Sequence, residues 1–167
     1  MMINDSKQFR EIIPYKGPIL GIDLGTKRIG MAISDINQKI ASPFKVEENK
    51  NFSEILNILK KIRIDRDICS IVVGDPINMD GSIGPKSQSS RSFVNNLSKE
   101  INIPILLWDE RLTTVSAERS LLEADLSRKK RQQIIDKIAA SIILQSFLDY
   151  LNTVSYTHLT LPTKRIV

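Results

Sequence analysis

The apolar positions along this 167-residue chain fall into short continuous runs and longer amphipathic stretches. Continuous apolar runs bounded by turn residues are typical of strands buried on both faces of a sheet. Apolar residues that recur every three or four positions are typical of helices packed on such a sheet. Strands are therefore predicted in the segments PILGIDLG, IGMAIS, IASPFKV, ICSIVVG and IPILLWDE. Helices are predicted over residues 52–62, 89–101, 132–151 and, starting after Thr113 or Thr114, to about Ala124.

The resulting element order is β-β-β-α-β-α-β-α-α, without internal repeats. An antiparallel meander followed by β-α-β crossovers predicts a mixed sheet with helices on its faces, in the α/β class. The length is that of one domain. We divide the chain into a polar N-terminal extension (1–16), the main domain (17–151) and a tail (152–167). In the tail, Thr and Leu alternate without a helical period, which indicates a cloning or sequencing artefact or, at most, a small edge strand.

The composition narrows the function only slightly. A formal net charge of +5 and a pI near 9.4 favour a polyanionic partner weakly. The single Cys69 excludes a disulfide framework, and the single His158 excludes a histidine-based metal cluster in the main domain. No segment reaches the roughly 18 apolar residues of a membrane span. We expect a soluble, cytoplasmic protein without a membrane partner.

Four acidic residues occupy positions that should be apolar or that adjoin strand ends. Asp23 interrupts the apolar run ILGIDLG, Asp109 and Glu110 end the strand ILLWDE, and Asp136 lies on the apolar face of the last helix. Ligands bind at the carboxyl ends of strands in open α/β sheets. Converging carboxylates require divalent cations, and Mg²⁺ or Mn²⁺ prefers such oxygen ligands. Two ions about 4 Å apart can activate water and stabilise the leaving oxygen in phosphodiester hydrolysis.

Each acid also has an ordinary alternative. Asp23 could accept hydrogen bonds from the turn GTKR, and Asp109 or Glu110 could pair only with Arg111. Asp136 could be a first-turn acid that the positive helix terminus stabilises. The acids are therefore candidates, and their joint presence carries more weight than any one of them.

Four ordered motifs relate the chain to a known family. GIDLGTKRIGMAISD, IVVGDPINMDGS, DERLTTVSAE and IDKIAASIILQSFL resemble the YqgF/RuvX family, the pre-16S ribosomal RNA nucleases related to Holliday junction resolvases. The resemblance spans about residues 17–151. It implies an RNase H-like fold, a five-stranded sheet of order 3-2-1-4-5 with helices on both faces, and trimming of the 5′ end of precursor 16S rRNA during ribosome biogenesis.

The resemblance also implies roles for the acids. Asp23 in GIDLGT matches the central catalytic metal ligand, Glu110 in DER the second acid, and Asp136 before IAA the third. Asp109 supports Glu110 or replaces it as a ligand. Asp75 departs from the family pattern, in which leucine is commoner, and is either an additional ligand or a loop aspartate with its own partners.

Basic residues beside these acids are candidates for phosphate contacts. The expected partner is structured precursor rRNA or branched DNA, with a ribosomal particle as a further partner, bound by a monomer or a homodimer. The candidates are Lys27, Arg28, Arg111, Arg128, Lys129, Lys130 and Arg131.

Three other functions remain open on the sequence. A Holliday junction resolvase would use the same acids on DNA and would need a symmetric dimer. An RNA-binding ribosome-assembly factor would keep the fold without turnover. The motif DLGT is also similar to the phosphate loop of actin-like ATPases, but those proteins place nucleotide between two such domains and this chain has the length of one.

Overall fold

The computed structural model describes the backbone of residues 2–3, 5–113 and 128–166, and the side chains at positions 5, 7–113, 132 and 134–153. The strands are β1 (Met2–Ile3), β2 (Ile19–Leu24), β3 (Arg28–Ser34), β4 (Ala41–Glu48), β5 (Ser70–Asp75) and β6 (Ile105–Asp109). The helices are α1 (Ser6–Ile12), α2 (Phe52–Arg66), α3 (Pro85–Glu100) and α4 (Arg128–Ile166), and a 3-10 turn covers Glu110–Leu112. The helix predicted to begin after Thr113 or Thr114 lies outside the described residues.

The described strands form one mixed sheet in the order β1-β6-β5-β2-β3-β4. Strands β2, β3 and β4 are an antiparallel meander, whereas β2, β5 and β6 run parallel to one another. The order of the five predicted strands, 3-2-1-4-5, is thereby confirmed. Strand β2 lies between β3 and β5, so the carboxyl end that carries Asp23 is central in the sheet.

The sheet is covered on both faces, as predicted. One apolar core packs α2 and α3 against one face, and the other packs α1 and α4 against the opposite face. Gly21 on β2 shows how closely α4 approaches, because a Cβ atom there would lie 2.7 Å from Cβ of Leu144. A different pair of helices thus covers each face of the sheet.

The N-terminal extension is more ordered than its polar composition indicates. Strand β1 pairs in parallel with β6 and adds a sixth strand at the sheet edge. In α1, Phe9 is fully buried and its ring meets Phe147 of α4 edge-to-face, with the centroids 5.5 Å apart. A single aromatic residue among polar neighbours fixes this segment through a contact distant in sequence.

Helix α4 is longer than predicted at both ends. It begins at Arg128 instead of Gln132 and continues to Ile166, so the expectation of a non-helical tail after Leu151 is wrong. Once a helix has formed, each further residue other than Pro162, which lacks an N–H, adds a hydrogen bond at small cost, so a weakly helical sequence can extend it. Asn152 still packs on the domain, because its amide donates to the carbonyl oxygen of Gln38 at 3.2 Å. Within the described part of the chain, no helix has the length and apolar character of a membrane span.

Candidate active site

Asp23 is the second-last residue of β2, and 7% of its surface is exposed to solvent. It is paired with Gly30 on β3, and the register of β2 with β5 places Gly74 beside it on the other side. Side chains of directly paired residues point to the same face of a sheet. The carboxylate of Asp23 therefore stands on the α4 face, between two positions that carry no side chain.

The first of these glycines lies beneath Asp136. A Cβ atom at Gly30 would lie 2.1 Å from the carbonyl oxygen of Asp136, so the backbone of α4 rests directly on β3 at this point. Glycine in a strand interior often marks such a close backbone approach. The contact brings Asp136, which is 8% exposed, to the strand next to Asp23.

The second glycine makes room for Glu110. A Cβ atom at Gly74 would lie 2.5 Å from Oε1 of Glu110 and 2.8 Å from Cδ1 of Ile143. The carboxylate of Glu110 thus lies over β5, on the same face as α4. Asp23, Glu110 and Asp136 are brought to one edge of the sheet on one face, with Asp23 in the middle.

Asp136 is engaged by two side chains in this arrangement. The guanidinium Nε of Arg28 donates to Oδ2 of Asp136 at 2.8 Å, and the amide of Gln132 donates to Oδ1 at 3.2 Å. The Arg28 side chain is 32% exposed and that of Asp136 is 11% exposed, so the pair is partly shielded from water. Arg28 thereby neutralises one of the acids that would otherwise repel its neighbours.

The other two acids lie on the opposite face. Asp75 is paired in register with Asp109, one position beyond Gly74, so both side chains point toward the α3 face. Asp75 is 3% exposed, accepts a short hydrogen bond from the hydroxyl of Ser87, and accepts another from Nε of Arg91 at 3.1 Å. Asp75 thus has hydrogen-bonding partners of its own, Ser87 and Arg91, as expected for an aspartate that is not a metal ligand.

Asp109 has a partner of its own. Nη2 of Arg111 donates to Oδ2 of Asp109 at 2.8 Å and Nε to both carboxylate oxygens at 3.1 Å. These hydrogen bonds from Arg111 hold the pKa of Asp109 below its usual range. The adjacent residues Asp109 and Glu110 have different surroundings, because successive side chains at the end of β6 point to opposite faces of the sheet.

The donor set fits a hard divalent cation in its chemistry, because all three acids on the α4 face offer carboxylate oxygens. Among the described residues, however, no three acidic, histidine or cysteine side chains are grouped closely enough to hold a metal ion. Asp136 is paired with Arg28 instead. Binding of an ion by all three acids would require the carboxylate of Asp136 to exchange its arginine partner for the metal.

The residues predicted to contact phosphate differ in their surroundings. Lys27 is exposed in the turn between β2 and β3, Arg28 pairs with Asp136, and Arg111 pairs with Asp109. The run 128–131 forms the first residues of α4, and its side chains lie outside the described set. Sequence reasoning missed Gln132 and the two glycines beside Asp23, although a glycine within an apolar strand is a signal of close approach.

Comparison with known proteins identifies the family of this chain. The family profile of RuvX, described as a Holliday junction resolvase, matches residues 17–150. A protein of Rhodobacter capsulatus named "Putative pre-16S rRNA nuclease" is 48% identical over 150 residues, covering 90% of this chain and 94% of that protein. A protein of the same name from Paracoccus denitrificans is 46% identical over 157 residues, covering 94% and 99%.

Two solved structures share the fold. Thermus thermophilus RuvC in complex with a Holliday junction substrate superimposes with a TM-score of 0.52 at 14% identity, covering 82% of this chain and 97% of RuvC. The yeast mitochondrial Holliday junction resolvase Ydc2 gives 0.52 at 13% identity, covering 97% and 90%. The sheet and its acid-bearing edge define an RNase H-like domain of the resolvase type. Within that class, the chain belongs to the RuvX family.

Proposed function

We propose that this protein is a divalent-metal-dependent nuclease of the cytoplasm that processes the 5′ end of precursor 16S rRNA. The observation that carries the proposal is the row Gly30–Asp23–Gly74, over which Asp136 and Glu110 are brought to either side of Asp23. Three carboxylates on one face at the carboxyl ends of the central strands are the oxygen ligands that Mg²⁺ or Mn²⁺ prefers, which supports a metal-dependent reaction.

In this proposal Asp23, Glu110 and Asp136 hold Mg²⁺ or Mn²⁺, in a site for two ions. Bound ions would supply an activated water and stabilise the leaving oxygen of the phosphodiester. The residues of the chain contribute position and charge. Burial of Asp23 and Asp136 limits water around the carboxylates, and the two glycines let Asp136 and Glu110 approach without steric conflict.

Arg28 and Lys27 have a second role beside the acids. Arg28 lies at the first position of β3 and reaches Asp136, so its guanidinium is at the edge where a scissile phosphate would arrive. A guanidinium pairs with phosphate through two parallel hydrogen bonds as readily as with a carboxylate. In this proposal Arg28 moves from Asp136 to the phosphate, and Lys27 contacts a neighbouring phosphate.

The names of the relatives support precursor rRNA as the substrate, since the two proteins described above share nearly half of their residues with this chain over almost their full length. The family description supports branched DNA as the alternative substrate. Both substrates present structured phosphate backbones, so the same acids would serve either of them.

The test uses a labelled transcript that spans the precursor and mature 5′ ends of 16S rRNA, incubated with Mn²⁺. We expect the wild type to cut it near the mature end and Asp23→Asn, a nearly isosteric change, to leave it intact. Asp65→Asn, an exposed acid on α2, is the matched control and should cut like the wild type. Preferential cutting of a four-way DNA junction would identify a resolvase. Binding of the transcript without cleavage in any metal would identify an assembly factor.

A further inference from the structure

A groove next to the candidate active site is lined mainly by charged residues. It encloses about 1040 Å³ between the β2–β3 turn, the end of β4 and the first turns of α4. Among the described residues, its lining contains five cationic side chains, two acidic ones and one apolar residue, Val46. The cationic residues are Lys27, Arg28, Lys45, Lys50 and Lys137, and the acidic residues are Glu47 and Glu48.

Acidic side chains pair with only two of the five cations described in the groove. Lys45 pairs with Glu47 at 3.1 Å, and Arg28 pairs with Asp136. Among the described side chains, none offers an acidic oxygen within 4.0 Å of the ammonium groups of Lys27, Lys50 or Lys137. Three ammonium groups therefore face an open groove without an ion pair from the described part of the protein.

Asn49 fixes the wall of the groove. Its side-chain amide donates to the carbonyl oxygen of Gly25 at 2.7 Å, and its backbone N–H donates to the carbonyl oxygen of Lys27 at 2.8 Å. A Cβ atom at Gly25 would lie 2.5 Å from the carbonyl oxygen of Arg28, so the turn requires glycine at this position. The turn that carries Lys27 and the segment that carries Lys50 are thus joined before any ligand binds.

The groove opens onto the candidate active site. Arg28 and Gln132 line it, and both donate to the carboxylate of Asp136. Lys137 follows Asp136 directly in α4. The basic run 128–131 begins the same helix one turn before Gln132, so the backbone brings four more basic residues to this end of the groove.

We propose that this groove binds the phosphate backbone of the polynucleotide segment that flanks the cleavage site on the β3–β4 side. The inference rests on the proposed function and specifies how the substrate lies. Lys45 and Glu48 are about 10 Å apart along β4 at a strand rise of ~3.3 Å per residue. That length exceeds a single phosphate group, so the groove has room for adjacent phosphates of one strand.

The lining also determines what is recognised. Its described residues include no aromatic side chain on which a base could stack, and its cations are point charges or a guanidinium. Such a surface contacts phosphates without distinguishing the bases. Substrate choice on this side of the site therefore depends on the path of the backbone.

The test measures binding of a fluorescent RNA hairpin that carries the precursor 5′ end, in EDTA so that no cleavage occurs. The groove variant is Lys27→Gln/Lys50→Gln/Lys137→Gln. The matched control is Lys7→Gln/Lys60→Gln/Lys99→Gln, which removes three exposed lysines of α1, α2 and α3. Each lost phosphate contact lowers the slope of log K against log salt by about 0.7–0.9. We expect the groove variant to lose about 2–3 from that slope and the control less than about 1.

The outcomes separate this inference from the proposed function. Equal slopes in the groove variant and the wild type, or an equal loss in both variants, would overturn the groove and leave the nuclease proposal intact. Competition by polyglutamate as effective as that by RNA would also overturn it. A wild type that binds no polynucleotide would overturn both proposals. Groove-dependent binding of a transcript that the wild type never cuts would support the groove and contradict the nuclease.

Discussion

The Nε atom of Arg28 lies 2.8 Å from Oδ2 of Asp136, which joins the first residue of β3 to a helix 108 positions later in the chain. The cation thus occupies a carboxylate that the proposed mechanism assigns to a metal ion. Arginine and metal cannot both take the same carboxylate lone pairs. In the proposed mechanism, a phosphate that attracts Arg28 would therefore release Asp136 for the metal ion.

The first prediction follows from this competition. Arg28→Gln should lower the dissociation constant for Mn²⁺ about tenfold, or roughly 1.4 kcal/mol, because no charge-assisted hydrogen bond has to be broken. Calorimetric titration of Mn²⁺ into the protein without nucleic acid measures this change. Lys27→Gln removes the neighbouring charge without touching Asp136 and should change the affinity much less. An equal gain in both variants would show that general electrostatics, and not the ion pair, controls binding.

The second prediction concerns the glycines beside Asp23. Gly30→Ala should lower the free energy of unfolding by about 3 kcal/mol, because the new Cβ would meet the rigid backbone of Asp136 and force α4 away from β3. Gly74→Ala should cost about 1 kcal/mol, because it first meets the mobile end of Glu110, which can rotate away. Urea unfolding compares the two. A larger loss for Gly74→Ala would contradict the close backbone approach at Gly30.

Cleavage should report on Gly74→Ala separately from its stability. Gly74→Ala displaces the Glu110 carboxylate while α4 stays in place. Its cleavage rate should therefore fall strongly, although its free energy of unfolding changes little. Measurement of the cleavage rate well below the unfolding midpoint separates the two effects. A Gly74→Ala variant with wild-type cleavage would show that the position of Glu110 over β5 does not matter to the reaction.

The third prediction assigns Asp75 to the structure and not to metal binding. Asp75→Asn should lower the free energy of unfolding by about 1–3 kcal/mol, because the buried hydrogen bonds to Ser87 and Arg91 lose their charge. Its affinity for Mn²⁺ should remain within about twofold of wild type, because the side chain lies on the α3 face. A loss of metal affinity without a loss of stability would make Asp75 a ligand.

The fourth prediction concerns the turn of residues 78–82, which follows β5. The hydroxyl and the backbone N–H of Ser82 donate to Asp80 at 2.6 Å and 2.9 Å, and these hydrogen bonds hold the pKa of Asp80 below its usual 3.8. Because the pKa of Asp80 is lower in the folded protein than in the unfolded chain, these hydrogen bonds stabilise the fold fully above pH 3.8. That stabilisation is lost as the pH falls through the lowered pKa.

Ser82→Ala tests this turn. The pKa of Asp80 should rise toward 3.8, as followed by NMR of the carboxyl carbon, and the turn should exchange its amide protons faster at neutral pH. The difference in exchange between the variant and the wild type should disappear at acidic pH. An unchanged pKa would show that the Ser82 contacts do not form in solution.

The mixed sheet and the positions of Asp23 and Asp136 are predictable from the residue pattern for identifiable reasons, whereas the strand order 3-2-1-4-5 is implied by the family resemblance. Apolar runs mark β2, β5 and β6 clearly, and a crossover connection fixes their parallel pairing. Helical spacing placed Asp136 on the packed face of α4, and the structure buries it there. The local sequence pattern predicts the face on which a residue lies when one face of its strand or helix must be apolar.

Other features depend on contacts that the local sequence does not encode. The alternation of faces along β6 separates Asp109 from Glu110, but it does not show which of the two lies on the α4 face. The burial of Phe9 requires Phe147, far away in the chain. The start of α3 at Pro85 had a local signal, because proline is favoured at the first helical position, but the apolar period alone placed the start at Ser89.

The most direct test of the account compares two adjacent acids that lie on opposite faces of the sheet. Cleavage of the precursor transcript with Mn²⁺ should fall by about 10²–10³ in Glu110→Gln, because that carboxylate stands beside Asp23. In Asp109→Asn, whose carboxylate instead pairs with Arg111, the rate should stay within about threefold. Full activity in Glu110→Gln together with a large loss in Asp109→Asn would contradict the site as described.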